Sequence, residues 1–364
     1  MNKKVLCVVL LTTIMIGISG CGNTTSKNSS EQTKESITID SSRNVSDTVD
    51  DSAFDESRSE ESSQEEYEAP EDSSKDISIT IDDSALDESK SEESSQEEYK
   101  DPEYTLGKIV DTGKYDENIT WELDENGLLV ISGSGECNSH EDSYVSYPWD
   151  DKRENIKTVI IKNGLTNIGE DAFSSCTNLT SVTLPNSVIE IGDWAFTFCE
   201  NLTNVIIPYN VVQIGELAFG HCKNLTSVTI PDSVINIGNE AFGGCENLTS
   251  IMIPDSVETI GKLAFNFCTS LTNVAISDSV TSIEDGVFAH CESLTNITLP
   301  ENLTKIGINA FNTCSSLTKI VIPDSVVSIG KYAFYNCKNL TIESKSGSYA
   351  ETYAKENNIP FSAI

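Results

Sequence analysis

Apolar and polar positions follow a fixed pattern that recurs every 23 residues between residues 156 and 339. One copy of the pattern is LTSVTIPDSVINIGNEAFGGCEN (225–247). Val228 and Ile230 are two residues apart, so they lie on one face of a strand. The strand ends at Pro231, because proline cannot donate to a ladder of hydrogen bonds. Self-similarity at a period of this length predicts a solenoid of stacked coils.

The second half of each copy supplies further core positions. Val234 and Ile237 turn back towards the core, and Phe242 and Cys245 are spaced to share one face of a short helical turn. The two series are Phe173, Phe196, Phe219, Phe242, Phe265, Phe288, Phe311 and Phe334, and Cys176, Cys199, Cys222, Cys245, Cys268, Cys291, Cys314 and Cys337. We therefore predict an α/β repeat, a leucine-rich-repeat solenoid in which each of eight coils has one short strand and one short helical turn.

The segments on either side of the repeats (156–339) are predicted to cap them. The N-terminal segment, 105–155, has an Asn-Gly turn at 126–127 between two apolar runs, which is a β-hairpin signal. The C-terminal segment, 340–364, predicts a helix, since Ser348 and Glu351 have the spacing of a capping box. Each cap would cover the open edge of a terminal coil.

The N-terminus has the pattern of an export signal. Residues 1–20 combine Lys3 and Lys4 with an apolar stretch too short to span a bilayer comfortably, which is typical of a signal peptide. Ile-Ser-Gly precedes Cys21, as in the bacterial lipoprotein box. This predicts cleavage before Cys21 and a covalent diacylglycerol on its sulfur, whose two chains suffice for stable anchoring. An ordinary signal peptide followed by an incidental cysteine is the alternative.

Charge separates a tether from the repeats. The formal net charge of −35 argues against a nucleic-acid partner, because phosphate contacts need Lys and Arg. Residues 22–104 carry 26 Asp and Glu against 7 Lys and Arg, with almost no large apolar residues. Such a composition cannot bury enough surface to offset its ordering entropy. We therefore predict a disordered acidic tether over residues 21–104.

Residues that carry chemistry are sparse outside the tether. The repeat cysteines could form a ladder of disulfides, a column of metal ligands or a column of buried apolar side chains. A regular stack points all the thiols in the same direction, which is wrong for bridging and favours buried free thiols. The three histidines are His140, His221 and His290, and the last two are three coils apart, too far to share a metal. No nucleophile elbow, zinc helix or phosphate loop occurs. We therefore predict no catalytic site, no metal site and no cofactor besides the lipid on Cys21.

Two outward-facing rows of the coils are candidate binding surfaces. The strand-face candidates are Ser181, Thr183, Asn204, Ile206, Ser227, Thr229, Ser250, Met252, Asn273 and Thr298. The candidates on the helical-turn face are Trp194, Phe198, Leu217, Leu263 and Phe267. Apolar residues beyond the needs of the core suggest contact with a partner. The alternatives are a solvated sheet for the strand face and local packing between turns for the helical-turn face.

The repeat LTSVTIPDSVxxIGxxAFxxCxN, the Trp-containing hairpin and the tail GSYAETYAKENNIPF together resemble the BspA-like leucine-rich-repeat family of bacterial surface proteins. The resemblance covers about 105–364 and implies a secreted or surface-attached binding module, often linked to adhesion or host contact. We expect a lipid-anchored protein on the bacterial cell surface, facing outward, that binds an extracellular protein or glycan. One interpretation is that this ligand comes from a host. A structural surface component without a discrete ligand is the alternative, and the oligomeric state stays open.

Overall fold

The computed structural model describes residues 103–137 and 147–364. The predicted signal peptide (1–20), the lipidated Cys21, nearly all of the tether (21–104) and His140 lie outside those residues. Within the described ranges, the helices are too short or too polar to cross a membrane.

The N-terminal cap contains the predicted hairpin and one strand more. Strands β2 (Ile119–Asp124) and β3 (Leu128–Gly133) pair antiparallel around the Asn-Gly turn, which confirms the hairpin. Strand β1 (Ile109–Lys114) adds to β2, also antiparallel. A 3-10 helix, Asp150–Asn155, then leads into the first coil. Strand β3 pairs in parallel with the first strand of the solenoid, so the hairpin extends the sheet of the repeats.

Each coil contains two short strands, one more than the sequence predicts. The first strands are β4 (Thr158–Ile161), β6 (Ser181–Thr183), β8 (Asn204–Ile206), β10 (Ser227–Thr229), β12 (Ser250–Ile253), β14 (Asn273–Ile276), β16 (Asn296–Thr298) and β18 (Lys319–Val321). The second strands are β5 (Asn167–Ile168), β7 (Glu190–Ile191), β9 (Gln213–Ile214), β11 (Asn236–Ile237), β13 (Thr259–Ile260), β15 (Ser282–Ile283), β17 (Lys305–Ile306) and β19 (Ser328–Ile329). Both series stack in parallel, which confirms the solenoid of 23-residue coils.

The segment that carries Phe and Cys is a chain of turns rather than the predicted helical turn. In the fourth coil Glu240 and Gly244 have φ values of 51° and 73°, which lie in the left-handed region and cannot continue a right-handed helix. The N–H groups of Glu240, Phe242 and Gly244 donate to carbonyls of the next coil at 2.8, 2.8 and 2.7 Å. We call this third set of inter-coil hydrogen bonds the turn ladder. A helix would have used the same N–H groups internally, so it could not link the coils.

The core consists of columns of identical side chains. The eight repeat phenylalanines stack with centroids 5.2–5.6 Å apart between successive coils. Each repeat cysteine is buried and free, as expected. From the second coil onwards each thiol donates to the Phe carbonyl of the preceding coil, as Cys245 does to Phe219 at 3.3 Å. Burial raises the pKa of Cys268 to about 12. From Cys176 to Cys314 the column therefore behaves as core and not as reactive thiols. Cys337, in the last coil, differs, because its hydrogen bond with Cys314 lowers the pKa of its thiol.

The first coil exposes four carbonyl groups to which no earlier coil can donate, and side chains of the N-terminal cap cover them. The Tyr147 hydroxyl donates to the Glu170 carbonyl at 3.0 Å. Trp149 Nε1 donates to the Ala172 carbonyl at 2.9 Å. Arg153 donates to the Ser174 carbonyl through Nη1 and to the Asp171 carbonyl through Nη2. The acceptors at this end of the turn ladder therefore each receive a side-chain donor.

The C-terminal cap contains the predicted helix, α1 (Tyr349–Glu356), between two strands. Ser348 Oγ accepts from the Glu351 N–H at 3.2 Å, which confirms the capping residue. Glu351 Oε2 accepts from the N–H of Gly347 at 2.6 Å, one residue before the position that a capping box would use. Strand β20 (Thr341–Ser344) begins a ninth coil, and β21 (Phe361–Ala363), which the sequence did not indicate, pairs with it in parallel.

Replacing one ring of the phenylalanine column should destabilise the fold strongly. Phe242 is fully buried and stacks on Phe219 and Phe265 at 5.4 and 5.5 Å. We expect Phe242→Ala to lower the free energy of unfolding by about 3–5 kcal/mol, measured by urea denaturation followed by circular dichroism. Phe267→Ala is the matched control, because Phe267 is 38% exposed and stacks only on His290. Equal losses in both variants would contradict the packing described.

The repeat thiols should resist alkylation in the folded protein. With a pKa of about 12 for Cys268, roughly one thiol in 10,000 would be ionised at pH 8, even before access is considered. We expect peptide mass spectrometry to find the seven repeat cysteines from Cys176 to Cys314 unlabelled by iodoacetamide in buffer and fully labelled in urea. Rapid labelling of these cysteines in the folded protein would refute the buried column, and failure to label in urea would indicate disulfides.

Candidate binding surfaces

The strand face is formed by the outward side chains of β6 to β16. These short strands alternate exposed and buried residues, because their central apolar residues pack into the core; Val228 of β10 is only half-buried. The sequence-predicted candidates all lie on this face; nine are exposed and Thr183 is half-buried. Ile206 and Met252 are 76% and 73% exposed, which is high for large apolar side chains. The strand face therefore presents apolar surface that no described residue covers.

A ladder of threonines borders the strand face and holds its edge in place. Thr226 Oγ1 donates to the Thr203 carbonyl at 3.1 Å, and Thr272 Oγ1 donates to the Thr249 carbonyl at 3.0 Å. Beside it, Asn296 Nδ2 donates to Asn273 Oδ1 at 3.0 Å. Because neighbouring coils hold these polar side chains in register, the face is pre-organised before any partner arrives.

Near Met252 the strand face borders a shallow open depression of about 710 Å³. Its lining residues are Asp232, Met252, Ile253, Pro254, Asp255, Ser256, Ala275, Ile276 and Ser277. The depression lies beside a break in the sheet, since β12 pairs with β14 but not with β10. Asp232 and Asp255 are exposed at its edge and have no resolved ion pair among the described residues. The depression thus combines an apolar floor with an acidic rim.

Ser256 differs from its counterparts in other coils. Ser233 Oγ donates to the Val211 carbonyl at 2.7 Å, and Ser187 Oγ donates to the Leu165 carbonyl at 2.6 Å. Ser256 Oγ is buried and has no hydrogen-bond partner among the described residues. The sequence held no signal for this difference, because Pro-Asp-Ser-Val surrounds both Ser233 and Ser256. Among these three turn serines, the one at the depression therefore lacks the hydrogen bond to the preceding coil that Ser187 and Ser233 make.

The candidates on the helical-turn face pack mainly against neighbouring coils. Phe198 stacks on His221, with centroids 4.7 Å apart, and Phe267 stacks on His290 at 4.3 Å. Leu217 is buried, while Trp194, Phe198 and Leu263 are half-buried. All five candidates have positive φ values between 51° and 62°. This geometry matches the alternative of local packing between turns.

Both described histidines are part of that packing. Burial lowers the pKa of His221 and the pKa of His290, so both imidazoles are neutral at pH 7. Each imidazole ring stacks on a phenylalanine ring of the preceding coil. Within the described ranges, no group of three or more His, Cys, Asp or Glu is arranged to hold a metal ion.

Stacked 23-residue coils with strand, turn and phenylalanine columns define a leucine-rich-repeat protein. The chain belongs to the BspA-type leucine-rich-repeat family, since six copies of the "BspA type Leucine rich repeat region" match residues 151–231 and 212–341. No curated protein matches the sequence significantly. The family assignment confirms the resemblance stated above.

Several solved structures are similar to this chain. A leucine-rich repeat protein from Eubacterium ventriosum is 23% identical, with 63% of this chain and 95% of that chain covered and a TM-score of 0.31. The T. pallidum leucine-rich repeat protein is 23% identical, with 66% and 94% covered and a TM-score of 0.39. A leucine-rich cell surface protein from Faecalibacterium prausnitzii is 24% identical, with 67% and 97% covered and a TM-score of 0.28.

Removing the Ser256 hydroxyl should leave stability unchanged or slightly improved. The hydroxyl is buried without a hydrogen bond, so its loss removes a desolvation cost. We expect Ser256→Ala to be neutral, whereas Ser233→Ala, the matched control, should lose about 1 kcal/mol with its bond to the Val211 carbonyl. Urea denaturation of the two variants measures the difference. Equal destabilisation would show that Ser256 has a partner in solution, and the depression would lose its distinguishing group.

Proposed function

We propose that the protein is a bacterial cell-surface lipoprotein whose solenoid binds an extracellular protein through the strand face. The observation that carries the proposal is the high exposure of Ile206 and Met252 on a face held rigid by inter-coil hydrogen bonds. Methionine is flexible and polarizable, and is common on surfaces that adapt to protein partners. A protein therefore suits this face better than a glycan, the other ligand class that the sequence suggests.

The charge pattern narrows the kind of partner. From Ser181 to Thr298 the outward positions of the first strands are uncharged, whereas Asp232, Asp255 and Asp278 line the adjoining turns. The six strands of this face, about 4.8 Å apart, span about 25 Å. A strip that is three residues wide is smaller than the roughly 800 Å² per partner of a standard interface. A partner must then also contact the acidic turns, which favours apolar groups flanked by Lys or Arg.

Surface attachment is the second part of the proposal. The Ile-Ser-Gly-Cys sequence that ends at Cys21 and the acidic segment behind it support a lipid anchor followed by a spacer. The fold and the family are those of a repeat protein, and the proposal gives the chain no catalytic role. The competing function is a structural surface component that has the same anchor but no discrete partner.

A charge placed at the centre of the strand face should weaken binding. We expect Met252→Lys to weaken the affinity of the full-length protein at least about tenfold, because the ammonium would be buried against an apolar contact. The measurement is binding of the labelled protein to immobilised extracellular-matrix proteins and mucin over a range of salt concentrations. Wild-type binding should be saturable and should weaken as salt screens the acidic turns.

Val327→Lys is the matched control for Met252→Lys. Val327 is 68% exposed and precedes β19 on a different face of the coil. The substitution therefore introduces the same charge at similar exposure, but away from the strand face. The variant should bind like the wild type. Equal weakening by both variants would rule out the strand face, and no saturable binding by the wild type would favour the structural component.

A further inference from the structure

The turn ladder ends differently at its two ends. In each of the first seven coils, backbone N–H groups of the turn segment donate to carbonyls of the next coil, as Phe311 does to Ala333 at 2.8 Å. The last coil has no full coil after it. The corresponding N–H groups of Tyr332, Phe334 and Asn336 therefore have no backbone acceptor among the described residues. The Tyr353 hydroxyl of α1 lies close to the backbone of Phe334 and Ala333, and the N–H groups of Tyr332 and Asn336 have no hydrogen-bond acceptor among the described residues.

These two N–H groups belong to residues that line a depression of about 270 Å³ between the last coil and the C-terminal cap. We call it the C-terminal depression. Its lining residues are Tyr332, Phe334, Tyr335, Asn336, Cys337, Lys338, Leu340, Tyr353, Asn357, Asn358, Ile359 and Pro360. Phe334, Leu340 and Tyr353 are buried, and they form an apolar base. The volume is just below the lower end of about 300 Å³ that is usual for ligand clefts, so it suits one small unit.

Exposed aromatic rings stand at the rim of the C-terminal depression. Tyr335 is 62% exposed, and Tyr332 meets it edge to face with centroids 5.6 Å apart. Exposed tyrosines offer an apolar face together with a hydroxyl, which suits ligands that are apolar on one side and polar at the edge. The C–H face of a pyranose ring has this character, and its hydroxyls would meet the amides of Asn357 and Asn358.

Two lysine ammonium groups near the C-terminal depression have no ion-pair partner among the described residues. One is that of Lys338, and the other is that of Lys331, which lies 4.6 Å from the centre of the Tyr332 ring. Residues 317–364 contain five Lys and four Asp or Glu, whereas the chain as a whole has a formal net charge of −35. This end of the solenoid is therefore the part that an anion can approach with least repulsion.

We propose that the C-terminal depression binds an acidic sugar residue, a pyranose ring that carries a carboxylate. The ring would pack on Tyr335, and the carboxylate would accept a hydrogen bond from the N–H group of Asn336 and pair with Lys338. Backbone N–H groups and a cation are the donors that carboxylates bind in proteins. The site is separate from the strand face and does not depend on the protein partner proposed there.

The test is calorimetric titration of the full-length protein with defined oligosaccharides. The acidic probes are sialyllactose, whose carboxylate is on a terminal sialic acid, and a hyaluronan tetrasaccharide, whose carboxylates are on uronic acids. Lactose is the neutral probe. We expect at least one acidic probe to bind at least about tenfold tighter than lactose, and the stronger of the two identifies the source of the carboxylate. Equal binding of lactose, or no binding of either acidic probe, overturns the proposal.

Variants locate the site. Tyr335→Ala and Lys338→Glu should each weaken the acidic probe at least about tenfold without a change in circular dichroism, since both side chains are exposed. Tyr209→Ala removes a tyrosine of similar exposure in the third coil and should have no effect. Met252→Lys should likewise leave sugar binding intact, which separates this result from the strand-face proposal. Unchanged affinity in both site variants, or competition by an acidic peptide of equal affinity, would refute the assignment to an acidic sugar.

Discussion

Hydrogen bonding between successive coils is the constraint on which the structure depends. A coil of 23 residues has only short strands, so many of its backbone N–H groups find no partner within the coil, whereas in a helix they would. They donate along the solenoid axis instead, through two series of strands and the turn ladder. The turn ladder requires left-handed conformations, and bulky residues such as Trp194 and Phe198 adopt them at a cost of about 1–2 kcal/mol each.

The same constraint determines the packing. Because hydrogen bonds hold neighbouring coils at a constant spacing, equivalent side chains meet from coil to coil and form columns. Phenylalanine rings stack in parallel at 5.2–5.6 Å, thiols meet the Phe carbonyls, and threonine hydroxyls meet the backbone of the preceding coil. An insertion in any coil would shift every column, which accounts for the unbroken period of the sequence. A rigid stack of this kind can present a wide, pre-organised surface without a deep pocket.

The sequence predicts the features that periodicity carries and misses those that depend on backbone conformation or on ends. The first strands, the phenylalanine and cysteine columns, the hairpin and α1 follow from apolar spacing and turn residues. The second strands are only two residues long, as in Asn236–Ile237, which is too short for an alternating pattern to identify. The turn ladder has no residue signature, because Trp, Leu, Glu and Gly all occupy its left-handed positions. Of the candidate sites, the exposed row through Met252 could be read from strand alternation. The unpaired hydroxyl of Ser256 could not, since its local sequence repeats that of Ser233.

The two ends of the turn ladder pose opposite chemical problems, and this asymmetry explains why one end is closed and the other remains open to a ligand. Carbonyls exposed at the N-terminal end need donors, which long side chains such as Tyr147, Trp149 and Arg153 supply from the cap. The N–H groups exposed at the C-terminal end need acceptors, and α1 brings the Tyr353 hydroxyl close to the backbone of Phe334 and Ala333. A carboxylate of the chain placed there would have paired with the Asn336 N–H group and neutralised Lys338. No Asp or Glu is among the described residues that line the depression, so its edge carries hydrogen-bond donors beside exposed aromatic rings. A ligand with a carboxylate would provide the acceptor.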